Sequence, residues 1–127
     1  MMTGPVFADK MTPNFASYLW ESRLVVAVFN DLDDHNHSDL TRAINDFQKA
    51  YLCENAARNL AFLAFHQDAL PDDAPAVMRQ KSGLFLIGHD GGIKAHSQDD
   101  NLLSSLHSII DGMPIRQSEM AQDPICD

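Results

Sequence analysis

The stretch GLFLIGHDGGIKAHS at residues 83–97 decides the fold prediction. Two apolar runs in this stretch flank an Asp-Gly-Gly turn signal. An Asp-Gly pair favours a tight hairpin, because the central residues of such a turn need positive φ. We therefore predict two antiparallel strands, at residues 84–88 and 93–96. The predicted turn consists of Asp90, Gly91 and Gly92.

The next stretch, NLLSSLHSIIDGMPIRQSEM at residues 101–120, predicts the last helix. The helix is expected to start at residues 99–101. Gly112 is expected to adopt a left-handed cap conformation, and Pro114 cannot continue a helix. The apolar residues recur at helical spacing and form one stripe, which contains Leu102, Leu103, Leu106, Ile109 and Ile110.

Two apolar segments upstream predict a β-α-β unit. The run LVVAVF at residues 24–29 is continuous and rich in β-branched residues, which is typical of a strand buried on both faces. The run LAFLAF at residues 60–65 predicts a second buried strand. A helix capped by Ser38 or Asp39 is expected between them. The two strands should then be parallel, with a right-handed crossover.

The order β-α-β followed by β-β-α predicts the fold class. It is an α/β fold of thioredoxin-like type, with helices around a mixed central sheet. Three parts of the 127-residue chain are predicted. They are a disordered N-terminus or signal-peptide remnant at residues 1–14, the folded domain at residues 15–120 and a flexible tail at residues 121–127.

The charge of the chain limits the kinds of partner that it can bind. A formal net charge of −9 argues against binding of nucleic acid, because contacts to phosphates require clustered basic residues. No apolar run approaches the ~20 residues that a membrane span requires. Val6-Phe7-Ala8 resembles the end of a signal-peptide cleavage site. We therefore expect a periplasmic or secreted protein if the N-terminus is a clipped signal peptide, and a cytoplasmic protein otherwise.

Motifs at both ends of the predicted domain resemble the DUF4174 domain family. They are LFLIGHDGGIK at residues 84–94, IDGMPIRQSEM at residues 110–120, and Trp20 with Arg23 before the first long strand. The chain departs from the family pattern at His89, Ile115 and Gln117. The resemblance implies a thioredoxin-like fold and no established reaction. Members of the family include small exported bacterial proteins and domains of vertebrate extracellular sushi-repeat proteins.

The two cysteines argue against thiol chemistry. Cys53 and Cys126 form no C-x-x-C motif, and whether they pair is left open. A thioredoxin-like oxidoreductase places its reactive cysteine after the first long strand, at a helix N-terminus. That position falls in residues 30–39, which contain no cysteine. We predict that the protein is not a thiol-disulfide oxidoreductase, and we assign no catalytic residue and no cofactor.

The same segment is the one candidate for metal chemistry. Carboxylate and imidazole groups occur close together in it, and divalent transition metals accept both. A solvated loop whose acids favour the following helix dipole explains the pattern as well. We favour that interpretation and assign no metal ligand, although a metal-assisted enzyme is the alternative function. The residues concerned are Asp31, Asp33, Asp34, His35, His37 and Asp39.

The predicted topology places several distinctive residues at the opposite end of the sheet. The hairpin turn should lie near the start of the first long strand, and the segment after the last helix should return there. The protein is therefore predicted to be a non-catalytic binding or interaction module for an unknown protein or a small anionic ligand. The basic side chains can instead form structural ion pairs with Asp90, Asp111 and Glu119, and we favour that interpretation over binding of an anion. The candidate binding residues are Trp20, Arg23, Lys94 and Arg116.

Overall fold

One four-stranded mixed sheet organises the protein. The computed structural model describes residues 15–30, 34–113 and Arg116, without the side chains of residues 34–37. The strand order is β2-β1-β3-β4; β2 is parallel to β1, whereas β3 is antiparallel to both β1 and β4. This arrangement confirms the predicted thioredoxin-like α/β fold. The strands are β1 (Arg23–Phe29), β2 (Leu60–His66), β3 (Gly83–Ile87) and β4 (Ile93–Ser97).

Three α-helices accompany the sheet: α1 (Asp34–Ala50), α2 (Leu52–Ala57) and α3 (Asn101–Asp111). Helix α3 begins where the sequence predicts. Helix α1 begins before the predicted caps Ser38 and Asp39, so that prediction is wrong. Residues 34–37, which precede the predicted caps, form its first turn. Three 3-10 helices complete the described part, at Phe15–Tyr18, Gln67–Ala69 and Ala76–Arg79.

The central strand β1 has side chains in two separate hydrophobic clusters. All seven of its residues are buried. Val25, Ala27 and Phe29 pack in one cluster with side chains of α1 and α3. Leu24, Val26 and Val28 pack in the other, with residues of and around the 3-10 helices. In the described part of the chain, short 3-10 segments therefore cover the face of the sheet that lies opposite the two long helices.

Strand β2 is less buried than its sequence predicts. None of its seven residues is fully buried, and Ala64 and His66 are exposed. The continuous apolar run predicts a strand covered on both faces. The strand order explains the difference, because β2 lies at an edge of the described sheet, beyond β1.

The β3–β4 turn contains one residue with positive φ instead of the expected two. The N–H of Gly91 donates to the carbonyl of Gly88 at 3.0 Å, and the N–H of Gly88 donates to the carbonyl of Gly92 at 3.0 Å. Gly91 has φ +84, whereas Asp90 is not left-handed. This is a three-residue loop that ends in a left-handed glycine. The prediction for Gly112 is also wrong, since its φ is −82.

Replacing Gly91 with valine should destabilise the protein by roughly 1–3 kcal/mol, because a β-branched residue is strained at positive φ. A Cβ at this position would also lie 2.9 Å from Cδ2 of Leu19. The matched control is Gly112→Ala, whose Cβ would make an ordinary contact 3.6 Å from the carbonyl oxygen of Ile109. Denaturant unfolding measures both variants. Equal stability of Gly91→Val and the wild type would contradict the turn geometry.

Candidate functional site

Trp20 and the β3–β4 turn meet at the end of the sheet where β1 starts. The strand register pairs Leu24 with Ile87, which places the start of β1 beside the end of β3. The N–H of Trp20 donates to the carbonyl of His89 at 2.8 Å. Trp20 has φ +64, in the left-handed region, and its side chain is 66% exposed. A hydrogen bond between two loops thus holds an exposed indole in an uncommon backbone conformation.

An apolar pocket of about 200 Å³ opens beside this contact. Leu19, which precedes Trp20 and is 41% exposed, forms part of its wall. Asp73 also lines the pocket, and its two carboxylate oxygens accept the N–H groups of Phe15 and Ala16 at 3.1 and 2.9 Å. These bonds fix the first turn of the 3-10 helix, because its N–H groups lack partners within the helix. The rest of the apolar wall includes Phe15, Tyr18, Leu24, Pro75 and Ile87.

Two of the predicted binding residues are buried. Arg23 is 1% exposed, and its Nη1 donates to the carbonyl of Arg58 at 2.9 Å. Arg116 is 3% exposed, and its Nη1 donates to the carbonyl of Ala57 at 3.1 Å. The two guanidinium groups therefore bind neighbouring carbonyls at the end of α2. They meet at the end of the sheet where the topology places them.

Arg58 and Asp111 complete this group, which we call the arginine cluster: Arg23, Arg58, Asp111 and Arg116. Nε and Nη2 of Arg58 donate to the two carboxylate oxygens of Asp111 at 3.0 and 2.8 Å. Nε of Arg116 donates to the same carboxylate at 3.2 Å. The hydrogen bonds from Arg58 are the main reason that the pKa of Asp111 lies below 3.8. No sequence motif singles out Arg58, because only the tertiary fold brings it to Asp111.

The fourth predicted binding residue, Lys94, forms an ion pair at the hairpin surface. Its Nζ lies 3.1 Å from Asp90, and both side chains are substantially exposed. Asp90 also accepts the N–H of Gly92 at 2.9 Å. The bond from Gly92 and then the bond from Lys94 lower the pKa of Asp90. Asp90 and Gly91 thus lie in the three-residue loop, Gly92 closes it by a hydrogen bond with Gly88, and Lys94 lies across that turn.

The segment proposed for metal chemistry lies partly outside the described residues. Asp31 and Asp33 fall outside them, and residues 34–37 belong to the first turn of α1. Asp39 is exposed on the same helix. Within the described residues, no group of three or more His, Cys, Asp or Glu side chains is arranged to hold a metal ion.

Cys53 is exposed on α2 and is disulfide-bonded. Cys126, the other cysteine of the chain, lies outside the described residues.

His107 lies in an aromatic environment between α1, α2 and α3. Its Nε2 is 2.8 Å from Oδ1 of the buried Asn55. The rings of Phe47 and Tyr51 lie 5.2 and 5.3 Å from the imidazole, between centroids. Burial and, second, the charge of Arg58 lower the pKa of His107 below 6.5. These contacts give the imidazole of His107 a structural role between the three helices.

No protein-family model and no curated protein matches this sequence. The resemblance to the DUF4174 family therefore stays a prediction. Among the helices of the described residues, none combines the length and the apolar character that a membrane crossing requires.

Acidification should destabilise the fold in two separate pH ranges. The folded-state pKa of His107 is below 6.5. On acidification, the imidazole is therefore protonated at a higher pH in the unfolded chain than in the folded protein. Stability should therefore fall as the pH drops below 6.5 toward the folded-state pKa. The pKa of Asp111 is lowered from 3.8 in the folded protein. The carboxylate therefore contributes fully to the free energy of unfolding above pH 3.8, and this contribution is lost only at lower pH.

Thermal melts of the wild type and His107→Gln between about pH 8 and 5 test the first range. Besides Arg58, Arg116 lowers the pKa of His107, whereas Asp111 and Glu54 raise it. All four groups are retained in His107→Gln, so the comparison isolates the imidazole. The variant should show a weaker loss of melting temperature on acidification. An identical slope in both proteins would contradict this assignment.

Proposed function

We propose that the protein is a non-catalytic binding module of thioredoxin-like fold. Its binding surface, the Trp20 surface, consists of Trp20, Leu19 and the apolar pocket beside them. The observation that carries this proposal is the exposed indole of Trp20, which a 2.8 Å hydrogen bond to His89 holds in a left-handed conformation. The proposed partner is an apolar segment of another protein.

The backbone of Trp20 supports a binding role. A left-handed conformation of a bulky residue costs on the order of 1–3 kcal/mol and persists only where its surroundings enforce it. The strained backbone does not help to bury the indole, because the side chain of Trp20 stays 66% exposed. Tryptophan is enriched among the residues that dominate binding energy at protein interfaces. An indole that is fixed before binding loses little further freedom when a partner covers it.

The pocket and the surrounding charges indicate the partner. Its lining is mainly apolar, and its volume of about 200 Å³ suits one large side chain such as leucine or phenylalanine. Glu21, Asp73 and Asp90 lie in or near the Trp20 surface, and the whole chain has a net charge of −9. A partner segment with an apolar residue flanked by lysine or arginine is therefore favoured, because opposite charges promote encounter.

The arginine cluster suits a supporting role better than an anion-binding role. Arg23 and Arg116 are almost completely buried and donate to backbone carbonyls. An anionic ligand would have to compete with Asp111, which lies 3.2 Å from Arg116. Lys94 is more accessible, and we place it at the rim of the Trp20 surface.

We also propose that the protein works in an oxidising compartment, as an exported protein. The disulfide of Cys53 supports this, because disulfides persist in secreted and periplasmic proteins and are rare in the cytosol. The resemblance to a family with exported members points the same way.

Trp20 is the single tryptophan of the chain, so its fluorescence reports directly on this surface. Peptides selected from a random phage-displayed library should contain an apolar residue beside Lys or Arg. Their titration should shift the emission to the blue and protect it from iodide quenching, because the partner covers the indole. Trp20→Ala should weaken peptide binding, measured by calorimetry, by roughly 30-fold, which corresponds to a hot-spot loss of about 2 kcal/mol.

Leu52→Ala is the matched control. Leu52 is 72% exposed and lies on α2, so the variant removes an exposed apolar side chain outside the Trp20 surface. Its peptide affinity should equal that of the wild type. Selected peptides that bind Trp20→Ala as tightly as the wild type would refute the proposed surface.

The disulfide that supports the export proposal can be tested directly. We expect Cys126 to be the partner of Cys53, and removal of the bond to cost about 2–4 kcal/mol of unfolding free energy. Cys53→Ser and Cys126→Ser should each show this loss, and the double variant should lose no more than either single variant. Additive losses, or two free thiols in the unreduced protein, would contradict the pairing.

A further inference from the structure

The two outer strands of the described sheet differ in how their edges are protected. Strand β4 has five residues, carries Lys94, and shifts register against β3 between Leu86 and Ile87. Short length, lysine side chains and bulges are devices that keep an edge strand from pairing with another chain. The β4 edge has all three.

Strand β2 has none of these devices. Its sequence, LAFLAFH, contains no Lys, Arg, Asp, Glu, Pro or Gly. Its pairing with β1 continues without a register shift from Leu60 to His66. Within the described part of the chain, β1 is the only strand beside it. A long, regular and apolar edge of this kind is a surface to which another strand can add.

We propose that β2 is a homodimer interface, in which β2 of a second copy pairs antiparallel with it and extends the described sheet from four strands to eight. A two-fold axis perpendicular to the sheet would relate the copies and keep every residue on its own face. Opposed residues must then both be even-numbered or both odd-numbered, since side chains alternate between faces. Leu63 is the middle residue of β2, and centring the axis on it brings residues 61–65 of the two strands opposite each other.

This register is complementary in side-chain size on both faces of the sheet. Phe62 comes opposite Ala64 of the second copy, and Phe65 comes opposite Ala61. Leu60 and Phe62 pack with the cluster under the long helices, whereas Ala61, Leu63 and Phe65 pack with the opposite cluster. Pairing would therefore continue both hydrophobic clusters across the interface. Cross-strand contacts of this kind are the unit of sheet stabilisation.

The charges near the strand are compatible with this register. The strand LAFLAFH carries no Lys, Arg, Asp or Glu, so no like charges are opposed along the pair. The net charge of −9 per copy acts from more distant positions, where salt screens it over a Debye length of roughly 8 Å at physiological ionic strength. Added salt should therefore strengthen the dimer, whereas it would weaken a dimer held by ion pairs.

Sedimentation velocity over a wide range of protein concentrations tests the proposal. The wild type should dimerise reversibly, more tightly at higher salt. Ala64→Lys should raise the dimer dissociation constant by at least about tenfold, a loss of 1.4 kcal/mol, because each lysine would face Phe62 of the other copy. Ala64 is exposed, so the monomer should keep its thermal stability. Ala76→Lys makes the same change at an exposed alanine outside β2, and it should dimerise like the wild type.

A cysteine cross-link tests the register. Leu63→Cys should form a disulfide-linked dimer under mild oxidation, because opposed Cα atoms in antiparallel strands lie roughly 4.5–5.5 Å apart, within disulfide range. Phe65→Cys should not cross-link, because its two copies would be four residues apart, roughly 13 Å.

A wild type that stays monomeric at every concentration overturns the proposal, as does a dimer that Ala64→Lys leaves intact. Cross-linking through Phe65→Cys instead of Leu63→Cys overturns the register. The pocket beside Trp20 contains no residue of β2, so these outcomes are independent of the proposed binding function.

Discussion

A strand that is buried along its whole length needs cover on both faces, and β1 is such a strand. Helices α1 and α3 cover one face, and the 3-10 segments cover the other. Burial extends to its first residue, Arg23, whose charged group is costly to remove from water unless it is hydrogen-bonded. The carbonyl of Arg58 accepts such a bond. The start of β1 is therefore tied to the end of α2.

Because its buried guanidinium groups need hydrogen-bond partners, the arginine cluster connects three parts of the fold. Arg58 and Arg116 share the carboxylate of Asp111 at the end of α3, and Arg116 also reaches the carbonyl of Ala57. The ends of α2 and α3 and the start of β1 are fixed to one another. Trp20 lies three residues before Arg23, so the chain that presents the indole leaves from a rigid base. Under the proposed function, the cluster supports the binding surface without touching the partner.

The sequence allowed the strands and α3 to be predicted because their signals are local. Each of these elements is predicted by the preferences of a few neighbouring residues. The signals are the LVVAVF run, the apolar stripe of α3 and the Asp-Gly pair in the turn. The start of α1 was missed because its first turn, at residues 34–37, is polar and adds nothing to the apolar stripe. Gly112 predicts a left-handed helix cap because glycine permits that conformation. The chain does not adopt it at this position, where φ is −82.

The other features that the sequence does not predict arise from long-range structure. The run LAFLAF predicts a strand that contacts apolar groups on both sides, but the strand order places this strand at an edge. The left-handed backbone of Trp20 contradicts the preference of a bulky residue, and a bond to the distant His89 enforces it. The contact of Arg58 with Asp111 joins residues that no periodicity relates. The sequence therefore predicts that Trp20, Arg23 and Arg116 lie at one end of the sheet, but it does not predict their hydrogen bonds.

The two proposed surfaces have a defined geometric relation. The Trp20 surface lies where β1 starts, and β2 runs parallel to β1, so it lies near the first residues of β2. An antiparallel β2 pair directs the starts of the two strands to opposite ends of the extended sheet. The two pockets would be separated by at least the length of β2, roughly 23 Å for seven residues. One short apolar segment cannot span that distance. Dimerisation would therefore leave the affinity of a single pocket unchanged, and it would increase avidity only for a partner that carries two such segments on a sufficiently long linker.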